Sequence, residues 1–142
     1  MWAYCDTSAL VKRYVREPGR RALLHVLARH DCVCSAILPV EIRGAFRRLA
    51  SEGTLDWSHL PKLLERVASD RGYWTLVEVS TEVLAVAETL VSAHTLRTLD
   101  AIHVASAQVF AARVPTSLLF VSADRRQTEL AAAIGMAVKR IE

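Results

Sequence analysis

The sequence predicts an α/β fold in which helices cover a central, largely parallel sheet. Short apolar segments alternate along the chain with longer segments whose apolar residues recur every three or four positions. Such alternation is typical of strand–helix–strand units, whose strands lie parallel. The 142 residues contain no internal repeat and no long linker, so we expect residues 1–142 to form a single domain.

Five short apolar runs are the predicted strands. In chain order they are Trp2–Asp6, Cys32–Ala36, Trp74–Val79, Leu118–Ser122 and Met136–Ile141. The third run alternates apolar and polar residues, as a half-buried strand does. The fourth run is strongly apolar and follows a break at Val114-Pro115, which gives it a clear start.

Helical periodicity fills the intervals between these strands. In chain order, the helical patterns lie within 10–15, 18–27, 39–53, 56–72, 80–91, 98–110 and 124–134. Pro18 and Pro39 suit helix starts, because the first helical turn does not need their missing amide hydrogen. Gly53 and Gly135 suit helix ends, where a left-handed residue is favoured. Thr98 is placed to cap the sixth helix.

Four acidic residues occupy equivalent places in this predicted fold. Asp6 and Asp124 follow strands, whereas Glu41 and Asp100 lie at helix starts. In an open parallel sheet, the carboxyl ends of the strands and the amino ends of the following helices meet at one edge. We therefore expect the four carboxylates to lie together at that edge, although they are far apart in sequence.

Such a cluster of like charges opposes folding unless something compensates it. Carboxylates and water, without thiolate ligands, suit a hard cation such as Mg²⁺ or Mn²⁺. One or two such ions can activate water and neutralise the charge of a phosphodiester. Hydroxyl groups close to the acids are candidates for orienting the carboxylates from behind. They belong to Thr7, Ser8 and Ser122.

Each acid also has a purely structural interpretation. Asp6 and Asp124 are suited to cap the helices that follow them. Glu41 can pair with Arg48 on an exposed helix face. Asp100 suits a first helical turn, where the helix dipole favours a negative charge. The shared position at the sheet edge favours one common site over four separate explanations.

Composition excludes several classes of protein. With 52% apolar and 23% charged residues, the chain is not disordered, and no apolar run is long enough to cross a bilayer. The N-terminus lacks a signal-peptide pattern, so we expect a cytoplasmic protein without a membrane partner. The net charge of +3 is too small to identify a nucleic-acid-binding protein. Basic residues concentrate in 12–21 and 43–48, where they either bind phosphate or are simply solvated.

The three cysteines do not indicate a disulfide or a metal motif. An odd number cannot pair fully within one chain, and the spacing of Cys32 and Cys34 matches no common zinc pattern. These two fall on one face of a predicted strand. We interpret them, together with Cys5, as small buried apolar residues.

The four acids lie in four short motifs. In chain order these are Tyr-Cys-Asp-Thr-Ser-Ala-Leu-Val-Lys, Pro-Val-Glu-Ile, Leu-Asp-Ala-Ile-His-Val-Ala-Ser-Ala and Phe-Val-Ser-Ala-Asp. In this order and at these spacings, the chain resembles the PIN-domain nucleases, and in particular the VapC-type toxins of bacterial toxin–antitoxin pairs. The likeness covers nearly the whole chain. Many relatives have threonine where this chain has Ser122, and the hydroxyl is retained.

The resemblance implies a PIN-like three-layer α/β/α sandwich and metal-dependent endoribonuclease activity with Mg²⁺ or Mn²⁺. The family's metal-binding acids correspond to Asp6, Glu41, Asp100 and Asp124. Its hydroxyl near the first acid corresponds to Ser8 or Thr7. The implied products carry 5′-phosphate and 3′-hydroxyl ends. The implied partners are RNA, a second copy of the chain, and a cognate antitoxin whose tail blocks the acidic groove in a heterotetramer or larger assembly.

Several positions beside the acids have more than one interpretation. His103 follows Asp100 by three residues and falls on the apolar stripe that includes Leu99. We interpret it as a satisfied, semi-buried core histidine rather than a metal ligand. Arg97 is a weak candidate for contacting phosphate or bracing a carboxylate. Residues 125–127, Arg-Arg-Gln, are interpreted as substrate-facing or solvated.

Three functions are compatible with the sequence. The first is an endoribonuclease toxin that hydrolyses RNA and inhibits growth until its antitoxin neutralises it. The second is a PIN-type RNA-processing nuclease without an antitoxin, and the lack of extra RNA-binding elements argues against it. The third is a non-catalytic α/β module that binds a protein tail in its groove. The presence of all four acids argues against that third function.

Overall fold

The computed structural model describes all residues from Met1 to Glu142. Its strands are β1 (Trp2–Cys5), β2 (Asp31–Ser35), β3 (Thr75–Val77), β4 (Leu118–Ser122) and β5 (Ala137–Arg140). They form one five-stranded sheet in the order β3-β2-β1-β4-β5, and every neighbouring pair is parallel. The predicted parallel sheet and its five strands are confirmed.

Seven α-helices connect these strands. They are α1 (Thr7–Leu10), α2 (Arg20–Leu27), α3 (Leu38–Ser51), α4 (Leu60–Arg71), α5 (Thr81–Ala93), α6 (Thr98–Ala111) and α7 (Arg125–Ala133). Short 3₁₀ turns follow α1 at Val11–Arg13 and precede α4 at Trp57–His59. None of the helices combines the length and the apolar character needed to cross a bilayer.

Helices on both faces of the sheet produce two separate cores. Successive strand residues point to opposite faces, so Ala3 and Cys5 of β1 pack among α1 to α4. Tyr4 points the other way, among α5 to α7, and its ring stacks on Phe120 with centroids 5.5 Å apart. The result is the three-layer α/β/α sandwich that the sequence predicts. All three cysteines are unpaired and buried, as predicted.

The first helix starts at Thr7, where the Asp6 side chain caps it, and the chain tightens into a 3₁₀ turn at Val11. Two local predictions are wrong. Thr98 does not cap α6, because the backbone is extended at Arg97 and already helical at Thr98. Leu99 is 48% exposed and lies on the wall of a surface cleft instead of in the core.

The carboxylate of Asp70, which lies outside the group of four acids, links α4 to the 3₁₀ turn after α1. Asp70 accepts hydrogen bonds from Arg13 Nε at 2.7 Å and from Tyr14 Oη at 2.8 Å. Burial raises the pKa of Asp70, but the bonds from Arg13 and Tyr14 outweigh burial and hold that pKa below its ordinary value. This interaction therefore stabilises the fold above the unfolded pKa of about 4 and is lost as the pH falls through the lower native pKa.

We expect Asp70→Asn to reduce the free energy of unfolding by about 1 kcal/mol at pH 7, a value that allows for partial exposure of the pair. The deficit should shrink below about pH 4, where the wild-type carboxylate also becomes protonated. Denaturant unfolding at several pH values measures this, with the exposed Glu88→Gln on α5 as the control. A deficit of equal size at neutral and acid pH would contradict the assignment.

Candidate functional site

A cleft of about 560 Å³ opens at the carboxyl edge of the sheet. Asp6 follows the last residue of β1, and Asp124 lies two residues beyond β4. Glu41 and Asp100 lie in the first turns of α3 and α6. All four line this cleft, so the sheet edge brings together the four acids, as their positions in the sequence predict.

Asp6 is the most deeply placed of the four acids, at 1% exposure. Its Oδ1 accepts the Ala9 amide at 3.0 Å and so caps α1. The Ser8 hydroxyl lies 2.9 and 2.8 Å from its two carboxylate oxygens. Burial nevertheless raises the pKa of Asp6 above its ordinary value. The chain thus holds a carboxylate in a position where the charged form is costly without positive charge nearby.

Asp100 faces Asp6 across a shared amide group. Gln127 Nε2 lies 3.0 Å from Asp6 Oδ2 and 3.0 Å from Asp100 Oδ1. The other oxygen of Asp100 accepts a bond from Arg97 Nε at 2.9 Å. A neutral amide therefore lies between the two acids, and the Arg97 guanidinium contacts Asp100 on its other oxygen.

Asp124 caps α7 through Oδ1, which accepts the amides of Arg126 and Gln127. Its Oδ2 lies 3.5 Å from Arg97 Nη2. The loop before it is fixed by Ser122, whose Oγ accepts the Asp124 amide at 2.9 Å and lies 3.2 Å from Ser8 Oγ. Since Ser8 in turn contacts Asp6, the two serine hydroxyls couple the ends of β1 and β4.

Glu41 enters the cleft from the opposite side. Its Oε1 accepts a bond from Thr7 Oγ1 at 2.7 Å and lies 2.5 Å from His103 Nε2. Burial raises the pKa of Glu41, but the His103 ring and the Thr7 hydroxyl outweigh burial, so that this pKa lies below its ordinary value. The structural interpretation of Glu41 predicts an ion pair with Arg48, and that pair is not formed. Its carboxylate is held in the ionised form and in one orientation.

His103 is 1% exposed and belongs to this arrangement. Its Nδ1 lies 3.0 Å from the hydroxyl of Tyr4, which is fully buried. The ring therefore connects the core beneath the sheet to Glu41 in the cleft. The prediction that His103 is a buried histidine with hydrogen-bond partners is correct. One of those partners is the site carboxylate Glu41, and the apolar pattern of a single helix does not indicate a partner on another helix.

The prediction that Gln127 faces substrate or solvent is wrong. Its side chain is only 3% exposed and bridges Asp6 and Asp100. Arg125 does lie on the surface, where it pairs with Glu129. Gln127 lies three residues after Asp124, the spacing of a capping box, but its side chain makes no bond to the Asp124 amide, so this spacing does not indicate its contacts with Asp6 and Asp100.

The donor set of the cleft fits a hard divalent cation. Its four carboxylates and the hydroxyls of Thr7 and Ser8 supply oxygen donors, no cysteine lines the cleft, and both ring nitrogens of His103 are engaged by Tyr4 and Glu41. Such oxygens suit Mg²⁺ or Mn²⁺. The buried pair of Asp6 and Asp100 also requires positive charge or donors between its oxygens. No three histidine, cysteine, aspartate or glutamate side chains are close enough to chelate an ion in this conformation, and the Gln127 amide lies between the two deepest acids.

Comparison with known proteins identifies the family of this chain. The family model described as PIN domain matches residues 3–133. The chain belongs to the PIN-domain family. This PIN domain is also 35% identical over 136 residues to a protein named Ribonuclease VapC46 from Mycobacterium tuberculosis (strain ATCC 25618 / H37Rv), an alignment that covers 95% of this chain and 94% of the relative.

Solved structures share the fold. FitAcB from Neisseria gonorrhoeae superposes with a TM-score of 0.66 at 19% identity and covers 96% of this chain and 95% of that one. A toxin–antitoxin complex from Klebsiella pneumoniae superposes with a TM-score of 0.64 at 15% identity and covers 88% of each chain. At these identities the similarity establishes the α/β/α architecture.

Proposed function

We propose that this PIN domain is a divalent-cation-dependent endoribonuclease that acts as the toxin of a type II toxin–antitoxin pair. The observation that carries the proposal is the convergence of Asp6, Glu41, Asp100 and Asp124 on one cleft. The relative that shares 35% identity is named a ribonuclease, and one structural neighbour is described as a toxin–antitoxin complex. RNA is therefore the substrate class, and cytoplasm is the expected location.

Asp6, Asp100, Glu41 and Asp124 are the residues that would hold Mg²⁺ or Mn²⁺. A bound divalent cation supplies a Lewis acid, which lowers the pKa of water and neutralises charge on a phosphodiester. Support for this assignment comes from the four carboxylates that line the cleft and from the burial of Asp6 and Asp100 on either side of the Gln127 amide.

Other side chains of the cleft would orient these acids and attract the substrate. Ser8 holds both oxygens of Asp6, while Thr7 and His103 hold Glu41 in one orientation. Fixed carboxylates lose little conformational entropy when they bind, which favours reaction. The guanidinium groups of Arg48 and Arg97 line the same cleft and provide positive charge for the phosphates on either side of the scissile bond.

The protein partners are proposed to be a cognate antitoxin and a second copy of the chain. An antitoxin segment that lies in the cleft would block access of RNA to the acids. A homodimer is supported by Leu84 and Val91, which lie two helical turns apart on α5 and are 43% and 41% exposed. A second copy that covers this apolar face would remove these side chains from water.

Purified protein incubated with cellular RNA tests the proposed activity. We expect cleavage with Mg²⁺ or Mn²⁺, loss of cleavage by at least about 100-fold in EDTA, and recovery when the cation is restored. Mapping of the RNA ends should give 5′-phosphates. Induction in cells should arrest growth, and expression of the antitoxin should restore it. Intact RNA with both cations would contradict the proposal, and cleavage that persists in EDTA would contradict the role of the metal.

A further inference from the structure

The buried side chain of Gln127 uses its hydrogen-bond donors but not its acceptor. Both hydrogens of its Nε2 are used, one on Asp6 Oδ2 and one on Asp100 Oδ1, each at a donor–acceptor distance of 3.0 Å. Its Oε1 is buried and has no hydrogen-bond partner. A buried acceptor without a donor costs about 1–3 kcal/mol, so this oxygen requires a physical explanation.

Helix capping does not explain the position of Gln127. In a capping box, a glutamine three residues into the helix binds the amide of the capping residue. Here the Asp124 amide donates to Ser122 Oγ instead, and Asp124 itself accepts the amide of Gln127. The capping function is complete without the Gln127 side chain, which leaves that side chain free to face the acids.

The amide occupies the place where the two acids most need positive charge. Asp6 and Asp100 are 1% and 8% exposed, so water cannot solvate their facing oxygens fully. An amide NH₂ offers two donors but no net charge, and it therefore compensates the pair only in part. A divalent cation between the same oxygens would repel that NH₂ group and attract the amide carbonyl.

We propose that Gln127 has two states, in which its NH₂ group bridges Asp6 and Asp100 without metal and its Oε1 turns toward the divalent cation as a further oxygen ligand when metal binds. The inference rests on the proposed cation dependence. The amide nitrogen and oxygen are nearly equal in size, and the terminal torsion of glutamine is broad, so half a turn exchanges them with little repacking. Carbonyl oxygens are suitable ligands for Mg²⁺ and Mn²⁺.

Nuclear magnetic resonance of the ¹⁵N-labelled full chain tests the rotation without any substitution at the site. During a Mg²⁺ titration, the side-chain NH₂ signals of Gln127 should shift together with the backbone amides of Asp6 and Asp100. The exposed Gln108 on α6 makes no side-chain hydrogen bond and provides the internal control. Movement of the Asp6 and Asp100 signals with static Gln127 NH₂ signals would overturn this inference alone. No movement of any of them would also contradict the cation site of the proposed function.

Two substitutions with opposite chemistry provide an independent test by calorimetry and metal-free melting. Gln127→Met removes donor and acceptor at similar volume, so it should lower the melting temperature without metal and weaken Mg²⁺ binding about tenfold. Gln127→Glu places a third carboxylate among the acids, so it should lower the metal-free melting temperature further but strengthen Mg²⁺ binding. Gln108→Met is the matched control. If Gln127→Met leaves the Mg²⁺ dissociation constant unchanged or tighter, Gln127 is only a structural bridge and the proposal is wrong.

Discussion

Asp100→Asn is expected to reduce RNA cleavage by at least about 100-fold, which corresponds to about 3 kcal/mol of transition-state stabilisation. The substitution preserves the shape of the side chain but removes the negative charge proposed to hold the cation. Growth inhibition on induction should be lost in parallel. Asp6→Asn should have the same effect, because both carboxylates share the Gln127 amide at the deepest part of the cleft.

The same variants should retain or gain stability without metal. Removing one of two apposed buried charges relieves repulsion, and the Arg97 partner of Asp100 is largely exposed and contributes little. Melting in EDTA beside wild type and Glu88→Gln measures this. Unchanged cleavage by Asp100→Asn would remove the proposed site, whereas a large loss of metal-free stability would assign the carboxylate a structural role.

His103→Phe should destabilise the protein by about 2–4 kcal/mol, since it leaves the buried Tyr4 hydroxyl and the Glu41 carboxylate without their ring partner. The melting temperature should fall by on the order of 10 °C. Cleavage should also fall at temperatures where the variant is folded, because Glu41 keeps only the Thr7 hydroxyl to orient it.

A second substitution separates the loss of stability in His103→Phe from its loss of cleavage. Tyr4→Phe in the His103→Phe background removes the unpartnered hydroxyl, so it should recover part of the stability but none of the activity. Denaturant unfolding gives the stability, and cleavage rates below the melting transition give the activity. Wild-type stability of His103→Phe, or recovery of full activity in the double variant, would contradict the role of His103 in holding Glu41.

The convergence of the four acids can be predicted from the sequence because the sheet is parallel. Apolar runs and helical periodicity predict which residues end strands and begin helices, and a parallel sheet places those ends on one edge. Asp6, Glu41, Asp100 and Asp124 all stand at such ends, so the fold brings them to one cleft. The structural interpretations of Asp6 and Asp124 are also correct, because both cap helices while they face the cleft.

Side-chain contacts between different helices and strands cannot be predicted from these patterns. The position of His103 on an apolar stripe predicts burial, but its bonds to Tyr4 and Glu41 join three elements whose relative depth the periodicity does not specify. Gln127 follows two arginines and resembles part of a solvated turn, yet the packing of α7 against β4 and α6 buries it beside Asp6. Leu99 shows the opposite error, since it lies in the first turn of α6 and lines the cleft instead of packing in the core.

The central claim is that the acidic cleft at the sheet edge is a divalent-cation site. Crystals grown with Mn²⁺, measured at the manganese absorption edge, test it most directly. We expect an anomalous peak within coordination distance, about 2.0–2.2 Å, of oxygens from both Asp6 and Asp100. A peak confined to other residues, or none at a Mn²⁺ concentration that supports RNA cleavage, would contradict it.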